Sequence, residues 1–216
     1  MSIELLAQDL YRVLIPFEEV TTTVYIVALE QGTVIVDSAT YPSDVDGYIL
    51  PAMHEAGIAA DSVKCLALTH THEDHAGGID RLSECFPDAV VRAVSEPPLP
   101  NALPFCDGEV LLGGLQVVFL PGHTAHSVGF LHLPTKTLLS GDCLQLAGVG
   151  KYRNGIADVR RYIASAERLM KMDVARIVAA HEYDPLGSIA DGRDEVERYL
   201  AACIAIAKGE SVEKSL

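Results

Sequence analysis

Short apolar runs alternate with polar breaks along almost the whole chain, and their lengths separate strands from helices. Val24–Leu29 and Thr33–Asp37 are strand-length runs joined by the turn residues Gln31-Gly32, which predicts two connected strands. Tyr48–Ala56 reads as a helix closed by Gly57. Val63–Leu68 is an apolar run broken only by Lys64, which reads as a buried strand. Gly77-Gly78 then opens a helix over Ile79–Cys85, and Ala89–Val94 is another short strand. Glu96–Pro104 holds four of the eleven prolines and reads as an irregular connection. The pattern then repeats, with strands at Glu109–Leu112, Leu115–Leu120, Val128–Leu133 and Thr137–Leu139, a helix at Ala157–Lys171 and a strand at Ile177–Ala180. Asp191–Ala207 closes the series as a helix, with Val196, Leu200, Cys203 and Ala207 on one face.

Chemistry concentrates where the apolar runs break. Thr69-His70-Thr71-His72-Glu73-Asp74-His75 follows the strand Val63–Leu68 and places three of the eight histidines within six residues. Imidazole and carboxylate together suit zinc and similar divalent metals. His70 and His72, two apart, converge on one ion from a locally extended segment, while Asp74 and His75 turn toward a second. Three later positions share the same context: His123 after Leu115–Leu120, Asp142 after Thr137–Leu139, and His181 after Arg176–Ala180. Ligands delivered from the ends of neighbouring strands can meet at one edge of a sheet.

Composition narrows the function classes. A length of 216 residues suits one domain, 1–216, and 49% hydrophobic against 21% charged residues describes a folded chain. The net charge of −14, with no basic cluster, argues against nucleic-acid partners, because phosphate neutralisation supplies most non-specific affinity. Met1–Leu10 lacks a basic start and a long apolar run, and nothing approaches the ~20 apolar residues of a membrane span. Five scattered cysteines do not suggest a disulfide framework. A cytoplasmic protein with a small-molecule substrate and no membrane partner is expected, and a homo-oligomer stays open.

With its His-x-His-x-Asp-His cluster followed in order by a distant His, Asp and His, the chain resembles the metallo-β-lactamase-fold hydrolases. The resemblance covers nearly the whole sequence. It implies an α/β fold, a four-layer αββα sandwich of two mixed sheets flanked by helices, itself a duplicated half. It implies two divalent ions, zinc in the first instance with iron or manganese as alternatives. His70, His72 and His123 would hold one, and Asp74, His75 and His181 the other, with Asp142 bridging. Two such ions supply an activated water at neutral pH, and no Gly-x-Ser-x-Gly motif offers a serine nucleophile. Asp74 is the candidate catalytic residue, handling a proton besides ligating.

Gly148–Asp158 and His181-Glu182-Tyr183 look like segments of glyoxalase II, the hydroxyacylglutathione hydrolase. On that resemblance Lys151, Tyr183 and Arg153 would contact a substrate with an anionic tail, and an acyl thioester is the expected substrate. Arg153 stands where that family often carries an aromatic, and Lys151 and Arg153 read equally as a solvated loop pair. Glyoxalase II completes its pocket with a helical C-terminal domain, whereas only 35 residues follow His181, room for one helix. Two rivals share the fold: a lactonase, and a persulfide-dioxygenase-like oxygenase using one iron on His70, His123 and Asp142. Of the remaining residues, His54 and His132 read as structural, and His126 as lining the pocket or orienting a ligand. Asp37 reads either as a carboxylate that orients a ligand imidazole or as an ordinary strand-end turn. Cys143 reads as buried beneath the site.

Overall fold

The computed structural model describes residues 3–17, 20–144, 155–182 and 187–210. Two six-stranded mixed sheets with helices carry the fold. The first sheet runs β1 (Ile3–Ala7), β2 (Leu10–Phe17), β3 (Val20–Leu29), β4 (Gly32–Val36), β5 (Val63–Ala67) and β6 (Val90–Arg92), in that order. Its first four strands pair antiparallel and β4, β5 and β6 pair parallel. The second sheet has the order β12-β11-β10-β9-β8-β7, where β7 is Val110–Leu111, β8 Leu115–Phe119, β9 Val128–His132, β10 Thr137–Gly141, β11 Arg176–Ala179 and β12 Ile189–Asp191. In it β8, β9 and β10 pair antiparallel and β10 with β11 parallel, so β8, β10 and β11 all run the same way.

By compactness the chain divides into two units, Met1–Cys106 with Val110–Gly114, and Asp107–Glu109 with Leu115–Leu216. Each has its own core. In the first, Ile26, Ile35 and Leu66 of the sheet pack with Val45, Ile49, Ala52 and Met53 from the helical run α1 (Pro42–Asp44), a π turn (Val45–Ile49) and α2 (Leu50–Glu55), and with Ile79 and Leu82 from α4 (Ile79–Cys85). In the second, Val118, Leu138 and Ile177 pack with α5 (Val159–Leu169) and α6 (Arg193–Ala207). The buried positions Tyr162, Ser165, Ala166 and Leu169 of α5 follow helical spacing, and so do Val196, Tyr199, Leu200, Cys203 and Ala207 of α6. Fully burying one such large apolar side chain contributes about 1.5–3 kcal/mol. Burial pushes the Cys203 thiol up to about 12, so it packs as a small apolar group.

Most sequence-level elements stand where the pattern put them, and the departures have local causes. β3 begins at Val20, because Thr22 and Thr23 are buried strand residues whose hydroxyls hide the apolar signal. β1 and β2 carry no metal-site landmark, and no residue of β1 is fully buried, so the pattern there is weak. The helix expected from Tyr48 reaches back to Pro42 through the π turn; Pro51 has no N–H for a bond four residues back. The last helix starts at Arg193, not Asp191. Ile189–Asp191 instead pairs with β11, and Gly192, at φ 91°, makes the corner between them. Asp191 takes the Arg176 guanidinium, which holds its carboxyl below the usual range and fixes this edge.

Candidate metal centre

In the first unit the strand β5 ends at Ala67, and the Leu68 amide still bonds the Arg92 carbonyl, so the chain leaves the sheet at Thr69. The loop turns at His72 into a short helix, α3 (Glu73–Ala76). Gly77 and Gly78 let this helix lie on the segment after β4. A Cβ on Gly77 would stand 1.9 Å from the Thr40 carbonyl oxygen, which no side chain can meet. Ser38 closes the same contact, its amide and hydroxyl both donating to the His75 carbonyl at 2.7 and 3.0 Å. The Thr22 hydroxyl donates to the Asp74 carbonyl at 3.1 Å. The backbone of the ligand loop is thus held from two sides.

Asp37, at the end of β4, organises the side chains. It sits at φ 64°, a left-handed conformation that Asp tolerates better than most residues. Its carboxylate accepts from the Thr69 amide at 2.7 Å, from the Thr69 hydroxyl at 2.9 Å and from His75 Nδ1 at 2.8 Å. Donation through Nδ1 leaves His75 Nε2 as the lone-pair nitrogen, with Asp74 Oδ2 3.4 Å from it. His70 Nε2 and His72 Nδ1 stand 3.0 Å apart. One ion at the usual 2.0–2.1 Å from each nitrogen fits that spacing. Of its two sequence readings, Asp37 therefore takes that of an orienting carboxylate for a candidate ligand imidazole.

The second unit presents three more donors from strands that run in one direction. His123 follows β8, Asp142 opens a 3-10 turn after β10, and His181 follows β11. A register shift between Leu139 and Gly141, with Gly141 at φ 52°, turns Asp142 out of the ladder. His123 donates through Nδ1 to the Gly155 carbonyl at 2.8 Å, which leaves Nε2 for a ligand. Asp142 meets one imidazole with each oxygen, Oδ1 at 3.2 Å from His181 Nε2 and Oδ2 at 3.5 Å from His123 Nε2. A carboxylate that divides its oxygens in this way is suited to bridge two ions. In each unit, then, imidazole and carboxylate donors stand positioned for metal. The donor set, nitrogen and carboxylate oxygen without thiolate, fits zinc and equally iron or manganese.

Other sequence candidates fall elsewhere. Lys151, Arg153 and Tyr183 lie outside the described residues. His54 is exposed on α2, and His132 is buried in β9 with its Nδ1 2.8 Å from the Thr135 hydroxyl. His126 closes the turn after His123, its amide donating to the Thr124 hydroxyl at 3.2 Å. Cys143 is buried, as expected. Thr69 and the Gly155 carbonyl were not singled out by sequence; a hydroxyl directly before His70, at a strand end, was the available signal for the first.

A sheet pair of this topology with His and Asp donors at strand ends is the metallo-β-lactamase architecture. Solved structures agree: a metallo-beta-lactamase from Pontibacter korlensis superposes with a TM-score of 0.77 at 18% identity, covering 97% of this chain and 99% of that one. A metallo-beta-lactamase family protein from Thermus thermophilus gives 0.72 at 24% identity, covering 91% and 80%. Residues 18–115 match the metallo-beta-lactamase superfamily in sequence, so that stretch is similar to the superfamily in sequence as the whole chain is in fold. Among curated relatives, a hydroxyacylglutathione hydrolase of Francisella philomiragia is 34% identical over 127 residues, 56% of this chain and 50% of the relative. That of Photorhabdus laumondii is 30% identical over 139 residues, 62% and 53%. The chain spans about half the length of these relatives.

Proposed function

We propose that the protein is a dinuclear-metal hydrolase of small ester-like substrates, with acyl thioesters as the substrate class. His70, His72 and His123 would hold one ion and Asp74, His75 and His181 the other, with Asp142 a ligand to both. The observation that carries this reading is the preset state of the ligands within each unit. His75 and His123 are held by Nδ1 and offer Nε2, and Asp142 offers one oxygen to each side. Zinc is the first choice of metal, and relatives named hydroxyacylglutathione hydrolase support the thioester.

Ions bound there would supply an activated water and polarise the substrate carbonyl. The residues of the chain do the rest. Asp37 keeps the His75 ring in one tautomer, and the Gly155 carbonyl does the same for His123. Asp74, the least buried of the ligand carboxylates, takes and returns the proton that the attack releases. Lys151, Tyr183 and Arg153 anchor an anionic tail in this reading, on the strength of the sequence resemblance alone. Five cysteines carried as thiols suit a reducing, cytoplasmic setting; recovery of the protein from an exported cell fraction would contradict that placement. Among the described residues no helix is long and apolar enough to cross a membrane.

The test is a substrate panel on metal-loaded protein: an anionic and a neutral acyl thioester, lactones, a β-lactam, and a persulfide with oxygen uptake recorded. We expect thioester hydrolysis to dominate, with the anionic thioester preferred through a lower KM. Turnover of lactones alone would reject the thioester. Persulfide-dependent oxygen uptake by iron-loaded protein would move the reading to the oxygenase.

A further inference from the structure

We propose that the Thr69 hydroxyl is a positioning group that connects the Asp37 carboxylate to the His70 ring, so that one carboxylate orients ligand imidazoles of both ions. The proposal rests on the ligand assignment above, which places His70 and His75 on different ions. Asp37, Thr69, His70 and His75 are all at most 2% exposed, so water does not compete for these bonds.

The direction of each bond follows from counting protons. An ionised carboxylate only accepts, and a threonine hydroxyl has one proton to give. Thr69 Oγ1 lies 2.9 Å from Asp37 Oδ2 and 3.1 Å from Oδ1. Were the proton turned away from Asp37, oxygen lone pairs would face each other at that distance with nothing between them. The hydroxyl therefore donates to Asp37, and its lone pair accepts from His70 Nδ1 at 3.1 Å. His70 thus carries its proton on Nδ1 and presents Nε2 toward His72 Nδ1. His75 reaches the same state directly, through Nδ1 to Asp37 Oδ2 at 2.8 Å. The Thr69 amide adds a third bond to the carboxylate at 2.7 Å and survives any side-chain change. Removing the hydroxyl should release His70 and leave His75 held.

Thr69→Val keeps the shape and deletes the hydroxyl; Thr69→Ser keeps the hydroxyl and loses a methyl. Zinc affinity is read by competition with a chromophoric chelator. We expect Thr69→Val to weaken one of the two binding steps about 10- to 100-fold, the usual effect of losing a partner behind a ligand histidine. Thr69→Ser should bind close to wild type, a rescue that simple loss of packing would not give. Long-range proton–nitrogen spectra of wild-type protein, zinc-free and zinc-loaded, should show His70 protonated on Nδ1. Unchanged affinity in Thr69→Val, or a His70 proton on Nε2, would overturn the link. If Thr69→Val fails to fold, the wild-type tautomer decides alone. If wild-type protein binds no zinc, the proposed function fails, while the zinc-free tautomer still decides the Thr69 link.

Discussion

Asp74→Asn keeps the fold and lowers turnover on the best substrate by about 10²- to 10⁴-fold, the range of a lost acid–base group. The fold survives because Asp74 is held through its backbone: its carbonyl takes the Thr22 hydroxyl at 3.1 Å, and its place in α3 follows from the Gly77 contact behind it. Asparagine matches the shape but cannot accept a proton, and it binds a divalent ion more weakly than carboxylate does. Steady-state kinetics with metal content measured on the same sample separates these effects. A kcat loss at full metal occupancy assigns proton handling to Asp74, and a loss that follows missing metal assigns ligation alone. Near wild-type turnover would remove Asp74 from the mechanism.

Gly122→Ala destabilises the second unit by about 2–5 kcal/mol, combining backbone strain with overpacking. Gly122 sits at φ 149°, and a Cβ there would stand 2.4 Å from Tyr162 Cα and 2.6 Å from its amide nitrogen. α5 cannot retreat, because Tyr162, Ala166 and Leu169 are all buried in the core behind it. The Gly122 carbonyl also accepts the Ala157 and Asp158 amides at 2.9 Å, which ties the His123 turn to the start of α5. Denaturant unfolding in the presence of a chelator isolates this effect from metal binding. An unchanged midpoint would mean that the contact relaxes freely.

The candidate metal residues stand out in sequence because they follow apolar runs, a one-dimensional signal. What sits behind them was legible only in part. Asp37 could be suspected as a strand-end carboxylate, but its bonds to Thr69 and His75 join β4 to a loop more than thirty residues later. The backbone carbonyl of Gly155 that holds His123 has no sequence signature at all, since every residue carries one. Strand β12 was missed for a related reason. Three residues cannot show a period, and Ile189–Asp191 is a strand only because β11 offers it an edge. Buried threonines in β3 hid a strand start in the same way, because a hydroxyl reads as polar even when it is satisfied inside.

The proposed function requires that this chain's histidines and aspartates form a two-ion centre. Elemental analysis of protein purified without chelator or added metal, then dialysed against trace zinc, tests it most directly. Wild-type protein should hold close to two ions per chain, and His72→Ala about one or fewer through loss of a principal ligand. Wild-type protein that retains no divalent metal, or a His72→Ala variant that binds as much as wild type, would contradict it.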